Sequence, residues 1–529
     1  MLFTSYEFLL FVGVLLVLYY TIPKKMQWIL LTLASYIFYG LSGPGYLIFI
    51  LITTITAYLT AVLMDRNAKA ESKYLEANRD LLSKDKRKTY RAGQKKRRFY
   101  ILIAGLLAGF GLLAVMKYTA FAVVNINFVL GRFGAEGLNI PNILLPLGIS
   151  FYTFQTMGYL LDVYRGSVKA ERNPAKLALF VSFFPQLIQG PISRFGDLQE
   201  QLVSEHEFDS QNLIQGLWRV LWGYFKKLVI ADRILVAVMA LIENPAGYRG
   251  VYVVLLILFY SIQIYADFTG GIDITIGLAE ALGIKLAENF NRPFSSRSTK
   301  EYWRRWHITM GTWFTDYVFY PLSVSQPMQR LSKFCRRKLG NSLGKRIPVY
   351  LASAITWFLT GLWHGAGWNF IVWGLLNCLV ILVSQELQPL YDGFRKVAPR
   401  LTASKGYSAF MAARTFWLMG AIRILDCYRD VPLTFRMFGS IFTTPNWGEL
   451  TKVAKGVLGL GIHDYIVVLS GCLLVWVASR LNGKKDIRER LWKRPVTSFA
   501  AFLLLFLSVV VFGAYGFGYD ARQFIYNQF

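Results

Sequence analysis

Cysteine is scarce in this chain. Cys335, Cys378, Cys427 and Cys472 stand far apart with no CxxC pair among them, which argues against a disulfide framework or a cysteine zinc site. Histidine is equally scarce. His206, His307, His364 and His463 show no i, i+4 pairing, so a metal centre has no local support. The sequence lacks a Walker A loop, a dinucleotide-binding fingerprint and a G-x-S-x-G elbow, which argues against ATP-driven transport and against a self-contained serine esterase. The N-terminal stretch MLFTSYEFLLFVGVLLVLYYTI has no basic leader and no A-x-A site, and reads as a retained first span. Charge is low as well, at 17% of residues.

What is abundant is apolar sequence. Hydrophobic residues make up 54% of the chain and mean hydropathy is +0.39. Stretches near the roughly 20 residues that cross a bilayer recur at about 6–22, 27–42, 45–64, 99–117, 143–161, 214–241, 251–268, 348–363, 367–385, 408–425, 457–479 and 496–515. Shorter runs at 118–131 and 174–190 read as spans, re-entrant pieces or interfacial helices. The expectation is an all-α polytopic membrane protein with roughly 11–13 membrane segments, in one integral-membrane domain over 1–529.

The formal net charge of +27 sits between these runs. Membrane orientation and anionic lipid account for it better than nucleic acid does. The loop 65–98 holds 13 Lys or Arg against five acids, and the tracts 330–346 and 483–494 are also basic. By the positive-inside rule all three face the cytoplasm, which places both termini outside it. The composition of 65–98 suits a surface helix or a mobile arm.

Polar residues beside spans are costly and tend to face a protein interior or a cavity. Asp267 and Asp273 stand in YSIQIYADFTGGIDITIG, where Gly270 and Gly271 are expected to break or bend the helix so that both acids face one cavity; a helix-ending cap is the plainer reading. The following segment, through EYWRRWHITMGTWF, is too polar for a span and too aromatic for a solvated loop. Arg292, Arg297, Lys300, Arg304 and Arg305 fall within fourteen residues of it. They suit lipid headgroups, or a phosphate-bearing donor gripped by guanidinium forks. His307 follows them. His364 lies 16 residues beyond Pro348, about 24 Å along a helix, before Gly365 and Gly367. That is a deep position for a group able to exchange a proton near neutral pH.

The succession LPLGISFYTFQTMGYLLDVYRG, FFPQLIQGPISRF, ENFNRPF, YWRRWHITMGTWFTDYVFYPL and GLWHGAGWNFIVWGLLN resembles the membrane-bound O-acyltransferases, and among them the bacterial alginate O-acetyltransferase membrane-subunit group. The resemblance is strongest over 145–377. It implies a ring of tilted helices around a tunnel in a bacterial inner membrane. An acyl group, acetyl by this likeness, passes from a cytoplasmic thioester donor, acetyl-CoA, to a hydroxyl outside. No bound cofactor or metal is implied. His364 matches the family's catalytic histidine and His307 its second important one. On this reading Arg297, Lys300, Arg304 and Arg305 hold the donor's phosphates. Trp303 and Trp306 anchor the tunnel mouth or pack near the donor's arm, Asp267 lines the substrate path, and Asn369 donates to the developing oxyanion. The implied partners are a surface polysaccharide and an extracytoplasmic, SGNH-hydrolase-like acetyl-relay protein. D-alanyl transfer to teichoic acid is the competing transfer. A transporter or flippase for an anionic lipid or sugar is the competitor of another class.

Overall fold

The computed structural model describes residues 3–482 and 487–515. Secondary structure among them is helical apart from one isolated bridge between Phe290 and Trp306. Among the described residues, six helices are long and apolar enough to cross a membrane: Pro44–Ala77, Lys84–Arg132, Val251–Ala281, Trp368–Glu386, Ile462–Leu481 and Pro495–Phe512. The chain is an all-α polytopic membrane protein. Its contacts group it into two compact units. The first runs to Leu213 and takes in Ala279–Leu286; the second takes Ile214–Leu278 and the described residues from Ala287 onward. The C-terminal QFIYNQF and residues 483–486 of the last basic tract lie outside the described residues.

The first unit contains α1 (Tyr6–Thr21), α2 (Gln27–Ser42), α3 (Leu47–Ala77), α4 (Lys84–Arg132), α5 (Ile149–Arg165) and α6 (Pro174–Ser182). Helix α5 is buried on nearly every face. Small residues let its neighbours close in: a Cβ on Gly105 would stand 2.6 Å from Thr60, and one on Gly109 would stand 2.4 Å from the Met157 side chain. The runs 99–117 and 118–131 are one helix with the basic segment before them. At 49 residues, α4 is about 73 Å long, more than twice the hydrocarbon thickness of about 30 Å. The basic loop 65–98 is therefore an ordered helical hairpin. Arg98 pairs with Glu71 at 2.5 Å, Asn67 bonds Gln94 at 2.7 Å, and Tyr74 packs on Tyr90. The unit is closed by residues from far along the chain. Tyr20 donates to the Ala281 carbonyl at 2.7 Å, the Lys285 N–H donates to Gln201 at 2.9 Å, and Gly283 (φ +81) makes room for the His206 ring. His206 is structural, with its Nε2 2.7 Å from the Gln201 carbonyl.

The second unit begins with α7 (Ser210–Tyr224), which straddles the boundary. A π-helical segment, Phe225–Ala231, leads into α8 (Asp232–Glu243), and α9 (Val251–Ala281) follows. The expected break at Gly270–Gly271 does not occur, because α9 is continuous. The glycines serve close packing instead. A Cβ on Gly223 would lie 2.6 Å from the Gly270 carbonyl, and one on Gly277 would lie 2.6 Å from that of Gly216. This small-residue seam brings two backbones together where a bilayer supplies no hydrophobic drive between helices. Along it the π segment sets two adjacent lysines against α9. Lys226 meets Asp273 at 2.5 Å; Lys227, fully buried, meets Asp267 at 2.6 Å and Asp232 at 2.7 Å. Arg219 joins Asp273 to Glu288.

The rest of this unit contributes α10 (Thr299–Arg305), α11 (Ile308–Phe314), α12 (Gln326–His364), α13 (Trp368–Glu386), α14 (Lys405–Tyr428), α15 (Ile462–Leu481) and α16 (Pro495–Phe512). The basic tract 330–346 is helical and folds back on itself at Gly340 (φ 80) inside α12. From Pro348 the second limb of α12 runs helically to His364, as its spacing predicts.

Candidate active site

Histidine 364 is the last residue of α12. Helices α12 and α13 approach closely because a Cβ on Gly361 would stand 2.4 Å from the Phe370 carbonyl, and one on Gly374 equally near that of Trp357. The turn between them also depends on absent side chains, since a Cβ on Gly365 would meet the Phe370 ring at 2.1 Å. This geometry sets the half-buried imidazole edge-on to Trp373 at 4.6 Å and to Trp363 at 5.0 Å, between ring centroids.

Histidine 307 arrives by a different route. Ser298 caps α10, and the chain then extends through Trp306 and pairs with residues 289–291. The Asn291 N–H donates to the Arg305 carbonyl at 2.9 Å, and the Ile308 N–H to that of Asn289 at 3.0 Å. His307 turns the chain into α11 from the left-handed region (φ 49). Such a conformation is uncommon for a residue with a side chain and persists where surroundings enforce it. The ring is fully buried against Phe268 and against Trp363, at 4.9 and 5.7 Å. One indole, Trp363, therefore touches both imidazoles.

The protonation of His307 follows from its neighbour. Thr309 gives both its backbone N–H, at 3.1 Å, and its hydroxyl, at 3.0 Å, to Asn289 Oδ1. A backbone N–H meets only an acceptor, so that atom is the amide oxygen. Nδ1 of His307, 3.3 Å from the same oxygen, must then carry the proton, and Nε2 is the lone-pair nitrogen. Burial, with the Arg423 cation as a second cause, pushes the pKa of His307 down to about 3. This histidine, which lies outside the six long apolar helices, is a neutral imidazole with a fixed tautomer.

Arg423 has no counterpart among the residues singled out from sequence. It is buried, sits 4.2 Å over the Trp306 ring and donates to the Tyr302 hydroxyl at 3.1 Å. A cation in an apolar stretch is the signal that identifies it. Trp306 is buried beneath it rather than at a surface. Trp303 is half-buried, gives its indole N–H to Asn377 at 3.2 Å and packs on Trp357 and Trp373.

The basic residues divide. Arg297 and Arg305 line a polar pocket of about 450 Å³ together with Arg292, Ser295, Glu301 and Arg480. Lys300 and Arg304 are exposed and outside that pocket. Asp267 is paired with Lys227. The Asn369 amide donates to the Leu425 carbonyl at 3.2 Å, which ties α13 to α14.

An all-helical membrane protein with two histidines on one buried indole and an arginine-lined pocket is the setting in which the comparisons fall. The family model described as MBOAT, membrane-bound O-acyltransferase family, matches residues 169–422. Probable alginate O-acetylase AlgI of Azotobacter vinelandii is 32% identical over 91% of this chain and 87% of its own. The chain belongs to the membrane-bound O-acyltransferase family. A peptidoglycan O-acetyltransferase of Helicobacter pylori is 30% identical over 68% of this chain and 64% of its own. A teichoic acid D-alanyltransferase of Bacillus subtilis is 29% identical over 45% and 59%.

Proposed function

We propose that the protein moves an acetyl group from acetyl-CoA, on the cytoplasmic side of a bacterial inner membrane, to a hydroxyl of an extracytoplasmic polysaccharide or of a relay protein that serves it. The observation that carries this reading is the pair of imidazoles on Trp363, in a chain similar to O-acetylating proteins over most of its length. Arg297 and Arg305 hold the donor's phosphates, with Lys300 and Arg304 adding positive charge on the exposed face of α10. His364 takes the proton of the attacking hydroxyl as its oxygen adds to the thioester carbonyl. The tetrahedral intermediate then expels the thiolate, which receives the proton. A thioester needs no further activation. General-base action accounts for about 10²–10⁴-fold, and alignment supplies the larger proximity effect. Neutral His307, with Nδ1–H committed to Asn289, presents Nε2 as an acceptor for a neighbouring, non-reacting hydroxyl of the acceptor, which leaves the attacking O–H to His364.

The test is thiol release from acetyl-CoA by the full chain in liposomes, with and without an extracytoplasmic relay protein. His364→Ala should lose at least about a hundredfold. Full activity in that variant would remove His364 from the chemistry. A carrier-bound aminoacyl donor is the second reading, favoured by the likeness to teichoic acid D-alanyltransferases. It predicts no thiol release from acetyl-CoA under any condition.

A further inference from the structure

The arginine pocket adjoins a second space. Arg292 and Ser295 also line a groove of about 530 Å³. Its walls are largely apolar and include Ile230, Tyr265, Phe294, Phe416, Leu473 and Trp476. We propose that Arg292 and Arg480 bind the phosphate of an anionic membrane phospholipid, and that one of its acyl chains lies in this groove.

Three observations converge on that ligand. The first is charge. The pocket brings four guanidiniums together, and among the described residues its one carboxylate is Glu301. Both oxygens of Glu301 are engaged, one by Arg305 at 2.6 Å and the other by the Arg297 N–H at 2.7 Å. A pocket so unbalanced suits an anion, and guanidinium forks match phosphate. The second is the position of the two arginines. Arg292 is held in the left-handed region (φ 49) at the junction of pocket and groove. Arg480 sits in the last turn of α15 with its guanidinium 5.3 Å from the Trp476 ring centroid, an arginine–tryptophan pair of the kind found at headgroup level.

The third observation decides the source of the phosphate. The groove residues Leu469, Leu473 and Trp476 are 71%, 59% and 53% exposed, on a helix apolar enough to cross a membrane. The groove is therefore open towards whatever surrounds α15, which is hydrocarbon. A lipid already lies in that hydrocarbon, and an acyl chain matches the groove's apolar walls. Arg297 and Arg305 remain with the proposed acyl donor, and the lipid site does not depend on that assignment.

The test is native mass spectrometry of the purified full chain in neutral detergent, titrated with phosphatidylglycerol or phosphatidylcholine. Inorganic phosphate and acetyl-CoA serve as competitors. Phosphatidylglycerol should be retained preferentially. Arg292→Gln and Arg480→Gln should each weaken it about fivefold, in line with one cationic contact at a membrane surface, and should narrow the preference over phosphatidylcholine. Cys472→Trp, which fills the groove, should weaken both lipids alike. Melting temperatures of the variants would separate lost binding from lost folding. Equal retention of the two lipids by wild type, or phosphatidylglycerol binding untouched by both arginine variants, would overturn the proposal. So would displacement of the lipid by inorganic phosphate alone, which would mark a free-phosphate site. Loss of thiol release in wild type with lipid binding intact would sink the donor reading and leave this one standing.

Discussion

Asn289 is the residue that sets the tautomer of His307. Its side-chain oxygen receives Thr309 twice and His307 once, so replacing it with leucine removes the partner that fixes the imidazole tautomer. Losing the partner that orients a metal-bound histidine typically costs about 10–100-fold, and by analogy Asn289→Leu should lower acyl transfer within that range. Asn289→Asp keeps an acceptor oxygen and should retain more activity. The pH profile gives a second check. Because burial holds the pKa of His307 near 3, the ring is neutral at every pH above about 5. His307→Gln should therefore lower the rate while leaving the inflections between pH 5 and 9 where they are. A shifted acid limb in that variant would mean that His307 titrates in the working range. His307 and His364 both stood out in the sequence, the first in a cationic, aromatic run and the second at the end of an apolar one. Asn289 and Arg423 did not. The first is one asparagine among several in a polar stretch, and only the pairing of residues 289–291 with 305–308 brings it to the ring.

Helices in this protein meet through glycine seams, and the clearest test lies where α7 crosses α9. Gly270→Leu would drive a side chain into the Gly223 carbonyl, already 2.9 Å from an added Cβ. Overpacking of this kind costs about 1–3 kcal/mol and should appear as a lower melting temperature in detergent. The π segment that follows α7 buries Lys227 between Asp232 of α8 and Asp267 of α9. Lys227→Met leaves two carboxylates without that cation and should destabilise by about 3–5 kcal/mol, while the triple change Lys227→Met, Asp232→Leu, Asp267→Leu should restore most of the loss. Equal stability of the single and triple variants would show that the ion pairs are not energetically coupled. From sequence, Gly270 and Gly271 were expected to interrupt α9. Composition cannot distinguish a glycine that bends a helix from one that admits a neighbour, because the distinction lies on the other helix, at Gly216 and Gly223. Asp267 was likewise visible as a costly residue, but its partner Lys227 stands 40 positions earlier, on a π-helical turn that apolar periodicity does not announce.

At the scale of the molecule, the positive-inside pattern assigns the α3–α4 hairpin and the Arg480 end of α15 to the cytoplasm, and the loop before α15 to the other side. Cysteine labelling checks this directly. Cys335, Cys378 and Cys427 are buried and Cys472, partly buried, lies inside the apolar helix α15, so background reaction with an impermeant reagent should be low. In intact cells an impermeant maleimide should modify Gly448→Cys, and should reach Ser83→Cys only after permeabilisation. Labelling of both from the same side would overturn the assigned orientation. The membrane class was readable from hydropathy alone. Span counting was less secure, since runs read separately at 99–117 and 118–131 are one helix, and α5, read as a span, is a 17-residue helix buried in protein on most faces.

The return of Ala279–Leu286 to the first unit has a bearing on how the protein is made. The partners of this segment, Tyr20, Gln201 and His206, leave the ribosome long before it does. With translation at about 5–20 residues per second, they wait on the order of ten seconds for the residues that complete their packing. Over that interval the nascent first unit sits in the membrane unfinished while α7, α8 and α9 are still being inserted. A premature stop anywhere between Leu213 and Ala279 would leave it permanently open, a substrate for membrane proteolysis rather than a stable half-protein.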